Sequence, residues 1–91
     1  MLHIISNINP SLLNRIHHND AVIFLENAVL GLLKNSRYQE KLSELKTLYV
    51  LNEHLKERGI LKEEILEHIT IIDYARFVEL TIEHHPIHSW T

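Results

Sequence analysis

Four short runs, Leu2 to Ile5, Ala21 to Leu25, Lys46 to Leu51 and Ile69 to Ile72, are rich in apolar and β-branched residues, and between them apolar positions recur at helical spacing. The last run has the clearest form. It lacks polar alternation, which suits a strand covered on both faces, as strands of parallel sheets are. Asp73 then stops it, because its carboxylate can accept from the free amides of a following helix and its charge suits the positive end of the helix dipole. From Tyr74 the period becomes helical, with Tyr74, Phe77, Val78, Thr81 and Ile82 on one face. That face is expected to lie on the sheet.

The earlier parts of the chain follow the same alternation. Asn9-Pro10 reads as an N-cap followed by proline at the first helical position, and Leu12, Leu13 and Ile16 supply an apolar stripe. His17 to Asp20 is a polar turn before the second strand. Strand, helix, strand in this order is a βαβ crossover, expected to be right-handed with its strands parallel. Glu26 and Asn27 can open a helix through Ala28, Val29, Leu32 and Leu33. Ser36-Arg37-Tyr38-Gln39 fits the S-x-x-Q capping box, so a short helix is expected from there to about Glu44. Asn52 is placed as the cap of a helix over Glu53 to Arg58, Gly59 as its left-handed terminator, and Lys62 to Glu67 as a further helical turn or two. Four strands alternating with helices predict one domain over residues 1 to 91. Its expected form is a three-layer α/β/α sandwich with a mostly parallel sheet of about four strands and Rossmann-like topology.

Composition narrows the function. A chain of 91 residues buries only about two-thirds of its unfolded surface, yet 45% of this one is hydrophobic, which favours an apolar face left over for a partner. The net charge of −3 provides no cationic field for a phosphate backbone, so direct nucleic-acid binding is not expected. The longest unbroken apolar run, Ala21 to Leu25, is far below the roughly 20 residues of a membrane span. The start of the chain lacks the basic and apolar regions of a signal peptide, so a cytoplasmic location is expected. There is no cysteine, which removes disulfides, thiolate zinc sites, thiol nucleophiles and persulfide carriage.

Little else carries chemistry. Of the eight histidines, His84, His85 and His88 cluster, but Pro86 lies among them and forbids a continuous helix, so His84 and His88 are not a helical metal pair. The preferred reading is an exposed polar tail, with no metal site. Ser6, Ser11, Ser36, Ser43 and Ser89 stand in no nucleophile motif, and with only Gly31 and Gly59 no phosphate-cradling loop can be assembled. No cofactor is implied. Adjacent Glu63 and Glu64 point in different directions on a helix and read as a solvated face.

Several blocks together resemble the TusB family, also called DsrH-like, of small sulfur-relay subunits, whose domains share the DsrEFH-like fold. They are Met1-Leu2-His3, Asp20 to Glu26, Ser36-Arg37-Tyr38, Tyr49-Val50-Leu51-Asn52-Glu53, Arg58-Gly59, and Ile72-Asp73-Tyr74 with Phe77-Val78 and Leu80-Thr81, followed by Trp90 near the end. The Ile-Asp-Tyr-x-x-Phe-Val-x-Leu-Thr block with its near-terminal tryptophan is the specific part. The chain departs from the pattern at Asn27-Ala28, where Asp-Gly is usual, in a shorter segment between its first two strands, and in running one residue, Thr91, past the tryptophan.

The resemblance implies a non-catalytic structural subunit of a TusBCD-like complex, joined to TusC-like and TusD-like subunits in a dimer of heterotrimers. TusE-like and TusA-like sulfur carriers would be met through the complex, and the sulfur would end in 2-thiolation of the wobble uridine of transfer RNA. The transferring cysteine then belongs to the TusD-like partner. DsrH-like members of sulfur-oxidising bacteria carry a cysteine in the first helix, where Asn9 to His17 has none. The alternative, from another class, is a small metal- or ligand-binding α/β protein using His84, His85 and His88. Leu80 lies off the expected helix stripe and Trp90 follows a proline that ends the helix. Both are therefore expected at a partner interface, Trp90 foremost, since interfaces are rich in tryptophan.

Overall fold

The computed structural model describes residues 1 to 90. Thr91 lies outside the described residues. Five strands form one parallel sheet in the order β4-β3-β2-β1-β5, with β1 at Leu2–Ile5, β2 at Ala21–Phe24, β3 at Thr47–Leu51, β4 at Ile69–Ile72 and β5 at Ile87–Trp90. The α-helices are α1 (Pro10–Leu13), α2 (Gln39–Ser43), α3 (Asn52–Glu57) and α4 (Tyr74–Glu83).

The strand order dictates the layers. From β1 to β4 each connection steps the same way, so right-handed crossovers put α1, the Glu26–Leu32 segment, α2 and α3 on one face. The connection from β4 to β5 runs back across the whole sheet, and the same handedness sends α4 to the other face. Alternation along the strands then divides the core. Ile5, Val22, Phe24, Leu48 and Val50 pack on the first face with Leu12, Leu13, Val29 and Leu55. Leu2, Ala21, Ile23, Leu51 and Ile72 meet Leu80 of α4 on the second. This is the expected α/β/α sandwich, but its second layer is a single helix.

Several local expectations are met. Asn9 caps α1 by accepting from the Leu12 amide at 2.9 Å, and Asp73 caps α4 by accepting from the Arg76 amide at 2.8 Å. Gly59 has φ +67°, the left-handed conformation that favours glycine after a helix.

Others are corrected. The segment Glu26–Leu32 is a 3₁₀ helix rather than an α-helix, buried at Ala28, Val29, Gly31 and Leu32. Ser36 forms no capping box, because its hydroxyl donates to the Gly31 carbonyl at 2.7 Å and accepts from the Tyr38 amide, leaving Tyr38 at the N-cap of α2. Asn52 is the first residue of α3, with Leu51 at the cap position. The helix expected over Lys62 to Glu67 is a 3₁₀ turn at Lys62–Glu64, where Glu64 accepts from the Leu61 amide at 2.8 Å.

The two largest corrections lie at the C-terminal end. The sheet has five strands, not about four, because the expected tail folds as β5 beside β1, with the Leu2 amide donating to the Pro86 carbonyl and the Ser6 amide to the Trp90 carbonyl. An edge strand needs backbone pairing and little apolar surface, so Ile87-His88-Ser89-Trp90 suffices. The expected face of α4 holds only at Phe77, which is half-buried against the sheet: Tyr74, Val78 and Ile82 are exposed, and Leu80, expected off that face, is fully buried.

Candidate functional site

At the amino end of the sheet a chain of hydrogen bonds ties β5 to β1 and to the turn before β2. Leu2 and Ile4 turn toward α4, so alternation turns His3 to the opposite face, where it is 3% exposed. The Trp90 indole donates to His3 Nδ1 at 3.0 Å, and His3 Nε2 lies 2.9 Å from Asp20 Oδ2. An indole N–H can only donate, so Nδ1 accepts and Nε2 carries the proton given to Asp20. Asp20 also accepts from the N-terminal ammonium and from the His17 amide, each at 3.2 Å. Trp90 is stacked on His88 at 4.1 Å between ring centroids, and the Arg15 guanidinium lies 5.8 Å from its ring.

Burial pushes the Asp20 carboxyl up, but hydrogen bonds from His3, the ammonium and the His17 amide outweigh it and hold it below the usual carboxylate value. A carboxyl lowered by folding adds stability that is present above its unfolded pKa and lost as pH falls through the folded one. Acidification below about pH 4 should therefore loosen this end of the sheet. Asp20→Asn should flatten the acid limb of a stability-against-pH curve, measured by urea unfolding from pH 3 to 7. A limb unchanged by the substitution would place the acid sensitivity elsewhere.

At the carboxyl end three connections converge. Glu26, just after β2, has φ 49°, and its amide donates to His54 Nδ1 of α3 at 2.8 Å. His54 Nε2 is 3.4 Å from the Tyr74 hydroxyl at the start of α4, with the rings edge to face. Arg58 donates to Asn27 at 3.1 Å, and one carboxylate oxygen of Glu53 is buried without a hydrogen-bond partner. Along the free edge of β4 runs an open groove of about 810 Å³, lined by Ile65, Ile69 and Ile71 with Lys34, Lys62 and Glu67. The serine and threonine hydroxyls that donate among the described residues do so to backbone carbonyls, not to a histidine or a carboxylate.

The residues singled out in the sequence fall differently from expectation. Leu80 is enclosed by its own chain, so the surface expected there does not exist, and Trp90 is docked on His3. His84 ends α4 while His88 stacks on Trp90. Among the described residues no group of three or more His, Cys, Asp or Glu is arranged to hold a metal ion. Sequence reasoning missed His3 and His54. The one available signal was at His3, a polar residue inside the apolar run Leu2 to Ile5. Among the described residues no helix is long and apolar enough to cross a membrane.

Known proteins resemble this chain in fold and in sequence. A solved structure of a protein of unknown function from Methanobacterium thermoautotrophicum superposes with a TM-score of 0.75, covering 98% of this chain and 96% of that one at 16% identity. The chain is 38% identical over 80 residues to Protein TusB of Buchnera aphidicola, covering 87% of this chain and 83% of the relative. It is 36% identical over 81 residues to Protein TusB of Shigella flexneri, covering 88% and 84%. The model of the DsrH-like proteins matches residues 5–87, from the end of β1 to the start of β5. With that match across nearly every element of the sheet, and such identity to relatives over most of their length, the chain belongs to the DsrH-like family.

Proposed function

We propose that this protein is a non-catalytic assembly subunit of a TusBCD-like sulfur relay that supplies 2-thiolation of the transfer RNA wobble uridine. TusC-like and TusD-like subunits would join it in a dimer of heterotrimers, with TusE-like and TusA-like carriers met through the complex in the cytoplasm. One observation carries the reading: a chain similar to proteins named TusB contains no cysteine at all. Carrying a persulfide requires a thiolate as nucleophile and point of attachment, and no other side chain here replaces it. The sulfur must then travel on a partner.

Incubated with a cysteine desulfurase and sulfur-labelled cysteine, the isolated chain should take up no label that a reductant releases. The complex should carry such label on its TusD-like subunit. Reductant-labile label on this chain would sink the reading, as would failure to co-elute with its partners. Trp90 serves assembly in this account by fixing β5 in place.

A further inference from the structure

α4 buries Leu80, half-buries Phe77, and turns Tyr74, Val78 and Ile82 outward at 50%, 53% and 69% exposure. Positions i, i+4 and i+8 form one continuous stripe along a helix. Ile87, 39% exposed, stands opposite Leu2 in the register of β5 on β1, and Leu2 belongs to the core under α4. Four large exposed apolar side chains thus gather in one layer. That layer is also the thin one, since Ile4, Leu25 and Tyr49 on the same sheet face are only partly buried.

We infer that the Tyr74, Val78, Ile82 stripe is the docking face for a helix of a partner subunit, one whose apolar row is bordered by lysine and arginine. The inference rests on the assembly role proposed above and adds the surface and the chemistry of its partner. Charge selects the partner. Glu79 borders the stripe and Glu83 lies one turn further along on the same side as Glu79, and the two carboxylates share the one cation of the helix, Arg76, at 3.4 and 3.0 Å, so that flank keeps a net negative charge. A second copy would bring the same acidic flank on a chain of net charge −3, whereas a basic border meets complementary charge.

Tyr74 is the anchor of this face. Because the Glu26 amide donates to His54 Nδ1, the imidazole proton sits on Nε2 and points at the Tyr74 oxygen. The phenol then keeps its own proton free to donate across an interface. An aromatic side chain already held in place loses little freedom on binding, which is what makes such residues hot spots. His54 is a positioning residue here.

The test uses the full chain co-expressed with TusC-like and TusD-like subunits of the same organism. The double variant Val78→Glu, Ile82→Glu should keep the thermal midpoint of the isolated chain and bind its partners at least tenfold more weakly. Glu79→Lys with Glu83→Lys should also weaken binding, with a deficit that shrinks as salt screens the repulsion. His54→Ala should weaken binding of the Tyr74 chain yet add nothing in a Tyr74→Phe background. If the wild-type chain binds neither subunit, the assembly role fails and this inference falls with it. If it binds them and the stripe variants bind equally well, the role stands and the surface is wrong. Wild-type dimers that the stripe variants abolish, seen by sedimentation without partners, would make the occupant a second copy and overturn the basic helix.

Discussion

Leu80→Ala should lower the folding stability of the isolated chain by about 2 to 5 kcal/mol, measured by urea unfolding. Leu80 is the one residue of α4 that is fully buried, set among Leu2, Ala21, Ile23, Leu51 and Ile72. Truncating it removes apolar burial and leaves a cavity that five residues fixed in strands can barely fill. No second helix shares the load, because α4 alone forms that layer. Domains of this size hold only about 5 to 15 kcal/mol, so the loss is a large part of the total. Phe77→Ala should cost less, since Phe77 is half-buried rather than part of the core, and Val78→Ala should stay within about 0.5 kcal/mol. A Leu80→Ala variant with a near wild-type midpoint would mean that α4 is held by something other than this side chain.

Trp90→Ala should lower stability by about 2 to 4 kcal/mol through two separable effects. The indole packs against the core beneath α1, and its N–H is the hydrogen-bond partner of His3 Nδ1. Removing it leaves a nitrogen acceptor of a 3% exposed ring without a donor, which by itself costs about 1 to 3 kcal/mol. Trp90→Phe should isolate that part, keeping an aromatic ring and losing the N–H. The alanine variant should unfold early and also elute with less partner, because β5 frays. An unchanged midpoint with lost partner binding would instead make the indole a surface anchor, as its place in the sequence suggests.

The reason the sequence points to an interface at Trp90 and the structure to a clamp is distance along the chain. His3 and Asp20 are 17 positions apart, and His3 and Trp90 are 87 apart. Neither hydrogen bond leaves a trace in local spacing. The same holds for His54, whose ring is oriented by an amide 28 positions earlier and meets Tyr74 20 positions later.

Sequence by itself determined whatever depends on neighbours along the chain. The β-branched run Ile69 to Ile72 becomes β4, Asp73 and Asn9 cap the helices that follow them, and Gly59 takes the left-handed turn. Each follows from a residue's own backbone preference, which for Gly59 comes from the missing Cβ, or from a side chain acting on amides within three residues. The missing thiol is likewise a property of composition alone. Only the tertiary structure decided which face of α4 is buried. Periodicity sets Tyr74, Phe77, Val78, Thr81 and Ile82 on one face and leaves Leu80 off it, whereas the folded helix buries Leu80, half-buries Phe77 and exposes Tyr74, Val78 and Ile82. The choice belongs to the crossover from β4 to β5, which lays the helix over Leu2, Ile23 and Leu51 and presents Leu80 to them. β5 has the same origin: its residues are too polar to declare a strand, and the free edge of β1 supplies the backbone partners that make them one.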